Sequence, residues 1–100
     1  AKEPPMPTFI LFCKDKPKSL DLRMATRERH LAYAGTFASQ LKLGGPLLDE
    51  NGDMAGSVML FEAEAIEEAQ AFSANDPYRQ AGLFESVDIH PMRVTLGKLG

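Results

Sequence analysis

The sequence predicts an α+β fold in which an antiparallel sheet carries helices on one face. Three observations lead there. Short apolar runs, two of them continuous and one alternating, recur at Thr8–Cys13, Gly56–Ala63 and Glu85–Pro91. Between them lie two stretches whose apolar residues repeat at helical intervals. Turn residues punctuate the joins, at Asp15-Lys16-Pro17, Asn51-Gly52 and Asn75-Asp76-Pro77.

Thr8-Phe9-Ile10-Leu11-Phe12-Cys13 reads as a strand covered on both faces. Asp15-Lys16-Pro17 breaks it, and Ser19 is placed to cap a long helix from Ser19 to Gln40. The apolar positions of that helix are Leu20, Met24, Leu31, Ala34, Ala38 and Leu41. Leu41–Leu48 contains Gly44-Gly45-Pro46 and reads as a short, irregular strand with a bend. Asn51-Gly52 turns the chain into Gly56–Ala63, whose centre Val58-Met59-Leu60-Phe61 is apolar throughout. A second helix spans Ile66–Ala74, with Ile66, Ala69, Ala71 and Phe72 inward and its glutamates in water. Pro77 then suits the first position of a short helix capped by Asp76 and ended by Gly82. The final strand, Glu85–Pro91, alternates Val87 and Ile89 with Asp88 and His90, the pattern of an edge strand covered on one face, and Val94–Leu96 extends it. The order β-α-β-β-α-β is the split βαβ pattern of the ferredoxin-like fold. Two of its strands are apolar on both faces, so the face without helices needs a cover, and a second copy packed sheet to sheet supplies one.

The 100 residues, 44% hydrophobic and 25% charged, suit one domain over 1–100, with Ala1–Pro7 as a loose N-terminal segment. No apolar run approaches the ~20 residues of a membrane span, and Ala1-Lys2-Glu3-Pro4-Pro5 lacks the apolar stretch of a secretory signal. Cys13 is the only cysteine, which fits a reducing compartment, so the expected location is the cytoplasm. A formal charge of −3 argues against nucleic acid as a partner. The charge is uneven: Lys14 to Lys42 carries +4, whereas Leu43 to Tyr78 carries −8 and contains no Lys or Arg. Solvated helix faces of opposite sign account for this, as do basic groups lining a pocket for an anion.

At about 100° per residue, Arg23, Arg27 and His30 share one flank of the first helix, overlapping the stripe of Leu20, Ala34 and Leu41. They are aimed at the edge of the core, where each needs a partner or a wet cavity. A core histidine bonded to a backbone carbonyl and arginines in ordinary ion pairs are the plain alternatives. Asp76 is the candidate partner of His30, since an Asp holding an imidazole fixes its tautomer and orients it for proton transfer. It also suits a helix cap, and a carboxylate has oxygens enough for both. Tyr78 can offer its hydroxyl to a ligand or fill the space under the short helix, and Gly45 can offer a backbone N–H. Cys13, in a buried strand, reads as inert packing. His30 and His90 stand at no metal-ligand spacing, and neither a P-loop nor a Rossmann glycine pattern is present, so no metal or cofactor is expected.

Arg27-Glu28-Arg29-His30-Leu31, Gly44-Gly45-Pro46-Leu47, Gly56-Ser57, Asp76-Pro77-Tyr78 and Ala81-Gly82-Leu83-Phe84-Glu85 occur in this order. With them the chain resembles the YCII-related (YciI-like) proteins from about Phe9 to Pro91. The resemblance implies a dimeric α+β barrel, a homodimer through the open sheet face, and a His–Asp pair that maps onto His30 and Asp76. A family link to dehydrochlorination of a chlorinated hydroxyhydroquinone implies lyase chemistry on ring compounds. One departure is Lys18, where many relatives have a glycine after the proline.

The expected function is a cofactor-independent acid/base enzyme, a lyase or isomerase acting on a small anionic or phenolic ring compound. His30 transfers the proton, Asp76 orients it, and Arg23 or Arg27 holds a carboxylate or phenolate, with Gly45, Ser57 and Tyr78 completing the substrate site. A non-catalytic module that senses a small anion would use the same pocket. A monooxygenase of the same barrel architecture is a further reading, by fold analogy alone.

Overall fold

Along the chain the structure, a computed structural model describing residues 7–97, runs β1 (Thr8–Asp15), α1 (Leu20–Gly35), β2 (Leu41–Leu48), β3 (Met54–Glu62), α2 (Ile66–Ala74), α3 (Pro77–Gln80) and β4 (Phe84–Met92). Residues 1–6 of the expected N-terminal segment lie outside the described residues. The strands form one antiparallel sheet in the order β2-β3-β1-β4, so β1 and β3 are central and β2 and β4 are edges. This is the expected split βαβ topology.

Alternation along the central strands sets the two faces. Phe9, Leu11 and Cys13 of β1 stand opposite Phe61, Met59 and Ser57 of β3, and all six are buried on the helix side. Ala69 and Phe72 of α2 close over them, with Tyr33 and Phe37 from the α1 side. Phe72 stacks on Phe61 with centroids 4.6 Å apart and meets Phe37 edge-on at 4.9 Å, while the Tyr33 hydroxyl donates to the Phe72 carbonyl at 2.8 Å. On the other face Ile10 and Val58 are half-buried, and Phe12 and Met92 remain 44% and 40% exposed. Gly56 allows the close approach of β1 and β3, since a Cβ there would meet the Cys13 carbonyl oxygen at 2.5 Å.

Several elements depart from expectation. Helix α1 stops at Gly35 rather than Gln40: the Thr36 hydroxyl donates to the Tyr33 carbonyl at 2.7 Å, and the following N–H groups close tighter turns, Phe37 onto Ala34 and Gln40 onto Phe37. Ser19 stands at the N-cap, but its hydroxyl donates back to the Pro17 carbonyl at 3.3 Å and caps nothing. Leu20, Met24 and Leu31 are exposed, and so is Ala38. The buried face of α1 instead follows Arg23, Thr26 and Ala34, because the sheet beneath its first turns ends in Asp15 and Ser57 rather than in apolar side chains. In α2, Ala71 is exposed and Ser73 is buried. Gly44-Gly45-Pro46 lies inside a paired strand, and the irregularities of β2 fall on either side, between Leu41 and Leu43 and between Leu47 and Leu48. As an edge strand, β2 tolerates the proline. No strand forms at Val94–Leu96.

Lys18 adopts φ +58°, the left-handed region that a glycine enters without steric cost. The departure at this position is therefore a strained one. Lys18→Gly is expected to stabilise the fold by ~0.5–1 kcal/mol, the relieved strain less the added freedom of the unfolded chain, measured as a higher urea midpoint at unchanged slope.

Cys13 is fully buried, and burial first, then the neighbouring Asp76 charge, pushes its thiol up to about 12. The folded value lies above the unfolded one of about 8.5, so the native state holds this proton more tightly. That stabilisation is complete below the unfolded value and disappears as pH rises through the folded one. Urea unfolding at increasing pH above ~9 is expected to show a loss of up to ~1.4 kcal/mol per pH unit from this group, a slope that Cys13→Ala removes.

Candidate active site

The first turns of α1 point charged side chains at the sheet. Arg23 is the deepest: its side chain is 3% exposed, and its Nε and one terminal nitrogen donate to the two oxygens of Asp15 at 2.7 and 3.0 Å. The same terminal nitrogen lies 2.8 Å from the Ser57 hydroxyl. Bidentate pairing of this kind suits a buried arginine, which needs its charge met on the spot. Burial works against that charge, yet the hydrogen bond and charge of Asp15 hold its pKa above the ordinary value. Asp15 gave no signal as a site residue, because Asp15-Lys16-Pro17 has the composition of a strand breaker. Only the alternation Phe9, Leu11, Cys13, Asp15 shows that it faces inward.

Positions 23 and 30 are two helical turns apart, about 10.5 Å along the axis. Tyr78, 1% exposed, fills the interval. The Arg23 guanidinium carbon lies 4.6 Å from the centre of its ring, and the His30 imidazole stacks on it at 4.1 Å and 16°. Burial pushes the Tyr78 phenol up, against the opposing pull of Arg23 and Arg27, so at neutral pH it is an O–H able to donate.

His30 Nδ1 lies 2.9 Å from Asp76 Oδ1. The carboxylate oxygen is an acceptor, which assigns the proton of this bond to Nδ1 and, in the neutral imidazole, leaves the lone pair on Nε2. Asp76 is fully buried and also caps α3, accepting the Tyr78 N–H at 2.9 Å. Cap and imidazole share the one oxygen Oδ1, so the two roles do not divide between the oxygens. Among the described residues Oδ2 has no hydrogen-bond partner, and neither does the buried Thr26 hydroxyl one turn before His30.

Arg23, Arg27, His30, Gly45, Ser57 and Tyr78 all border one cavity of about 410 Å³ between α1 and β2, with Asp76 behind His30. Leu31, Ala34, Leu41, Met54 and Met59 give it apolar walls, and Lys42 stands at its margin. The volume is at the small end of the range for small-molecule sites, roughly 300–1,000 Å³. Arg23 lies at the centre of the buried face of α1 rather than at its edge, and its fork is occupied by Asp15 and Ser57. The ion-pair alternative therefore describes Arg23, and Arg27 is the arginine left exposed beside the cavity. Among the described residues no group of three or more His, Cys, Asp or Glu is placed to hold a metal ion, and no helix is long and apolar enough to cross a membrane.

Comparison with known proteins agrees with this architecture. The protein YciI of Escherichia coli O6:H1 is 33% identical over 93 residues, covering 85% of this chain and 95% of that one. An uncharacterised protein of Haemophilus influenzae is 32% identical over the same length and coverage. Among solved structures, 5-chloro-2-hydroxyhydroquinone dehydrochlorinase from Burkholderia phenoliruptrix AC1100, in complex with 2,5-dihydroxybenzoquinone, superposes with a TM-score of 0.80 at 34% identity, covering 86% of this chain and 93% of that one. An antibiotic biosynthesis monooxygenase, with a TM-score of 0.55 at 11% identity over 91% of this chain and 100% of that one, shares the fold alone. Residues 7–93 match the YCII-related domain, and with relatives this similar along nearly their whole length the chain belongs to the YCII-related family.

Proposed function

We propose that this protein is an acid/base enzyme of the lyase or isomerase type, acting on a small anionic or phenolic ring compound. The observation that carries the reading is the 2.9 Å contact between His30 Nδ1 and a carboxylate that is itself fully buried. It leaves Nε2 as the basic atom at the cavity. There Nε2 takes a proton from an O–H or C–H of the ring. In an isomerase the same proton returns at a ring carbon, giving the keto tautomer; in a lyase the carbon that bears the leaving group takes that proton, and loss of a proton from a second ring O–H then expels the leaving group and leaves a quinone. Asp76 keeps the proton on Nδ1 and meets the charge of the imidazolium that forms, while Tyr78 holds the plane of the ring. The likeness to a dehydrochlorinase with a bound dihydroxybenzoquinone supports this substrate class.

The first test is incubation with 5-chloro-2-hydroxyhydroquinone, following chloride release. Turnover is expected to fall at least ~10²-fold in His30→Gln with the circular dichroism spectrum unchanged. Asp76→Asn is expected to lower turnover as well, because the amide oxygen can still accept from the Tyr78 N–H and from Nδ1 but no longer carries the charge that meets the imidazolium. Imidazole ¹⁵N shifts check the His30 assignment without a substrate, with the Nδ1–H tautomer expected in the wild type. Full turnover in His30→Gln, or an Nε2–H tautomer in the wild type, overturns the assignment. Thermal stabilisation by ring compounds that stay chemically unchanged would identify a sensing module instead.

The same reading includes a homodimer formed by the open sheet faces. Phe12 and Met92, together with the half-buried Ile10 and Val58, support it, since an apolar patch on a face without helices calls for a cover. Analytical ultracentrifugation at micromolar concentration is expected to show a dimer that Phe12→Glu converts to a folded monomer; a monomeric wild type would refute it.

A further inference from the structure

The cations around the cavity are not equivalent. Arg23 has both its Nε and a terminal nitrogen on Asp15, with Ser57 on that terminal nitrogen as well. Turning it toward a ligand would leave the 5%-exposed Asp15 side chain unpaired in the interior, so its charge stays balanced by Asp15. Lys42 is shared with Glu62, 3.7 Å away on the neighbouring strand. Arg27 has no ion-pair partner among the described residues and stays exposed on the cavity-facing flank of α1. The remaining walls are apolar on the Leu31, Met54 and Met59 side, and on the other they present Tyr78 and His30. Beneath them lies Asp76 with its unpartnered Oδ2, which repels further negative charge.

We infer that the ligand of this cavity is a ring compound carrying a single negative charge, and that Arg27 alone reads that charge. This inference rests on the small-ring reading of the site. A carboxylate or phenolate meets the Arg27 guanidinium while its ring lies against the methionines and Leu31. A second charge, as in a phosphate monoester or a dicarboxylate, finds only cations already paired and a buried carboxylate nearby. Arg27 is thus a specificity-determining residue, and Arg23, although on the same flank, is a structural one.

The experiment is calorimetric titration of the full chain with three probes of similar size: hydroquinone (neutral), 2,5-dihydroxybenzoate (monoanion) and phenyl phosphate (dianion). The monoanion is expected to bind about tenfold more tightly than either of the others, the gain of one charge-assisted contact. Arg27→Gln is expected to abolish the preference over hydroquinone while leaving hydroquinone binding within about twofold, and Arg27→Lys to restore most of it. Tightest binding of phenyl phosphate, equal binding of all three, no binding of any, or a preference that survives Arg27→Gln each overturns the inference. Binding is read without turnover. A His30→Gln protein that keeps the charge preference but loses activity supports both readings, whereas one that keeps both preference and activity removes the proton-transfer reading and leaves this one standing.

Discussion

A guanidinium buried at the end of the sheet organises the rest of this molecule. An arginine so nearly sealed from water is tolerable only with its charge and donors met, and removing one partner of such a pair costs about 3–5 kcal/mol. Asp15 at the last residue of β1, Ser57 near the start of β3 and the face of Tyr78 meet the Arg23 side chain from three directions. The interaction therefore fixes how α1 lies over the central strands. It also fixes where the Tyr78 ring stands, and through that ring the plane of His30. The stacking under the imidazole thus leads back some two helical turns to an ion pair that does not touch His30.

The fold divides its labour along the same line. Toward α2 the helix side of the sheet is a conventional aromatic core of Phe61, Phe72, Phe37 and Tyr33. Toward the first turns of α1 the same face becomes polar, and the space left between α1 and β2 is the cavity. Gly56 belongs to this transition: without a Cβ it lets β3 lie close to β1, next to the serine that binds Arg23.

Much of this was legible in the residues. Asp76-Pro77 announced a capped helix, Val87 and Ile89 against Asp88 and His90 an edge strand, and the spacing of 23, 27 and 30 a shared flank, all of which the structure contains. What was not legible has physical causes. Which face of a helix is buried depends on the surface beneath it. Leu20, Met24 and Leu31 look like a core stripe, yet they are exposed, because the strand residues under the start of the helix are Asp15 and Ser57, which pair with Arg23. The partner of Arg23 was hidden because an aspartate before Lys16-Pro17 has the composition of a turn. The early end of α1 was hidden because the Thr36 hydroxyl and the tighter backbone turns after it, rather than a proline, close the helix.

The position of β2 at the rim of the sheet has a consequence for how such a protein changes over time. The groups proposed for chemistry, His30 and Asp76, sit on helical segments locked to the core, whereas one whole wall of the cavity, from Leu41 to Pro46, belongs to a strand hydrogen-bonded on one side only. Replacements and small insertions there disturb one ladder and no interior layer. The pocket wall can therefore be recut for a new molecule without disturbing the contact between His30 and Asp76, and descendants of one scaffold can diverge in what they hold while keeping that pair.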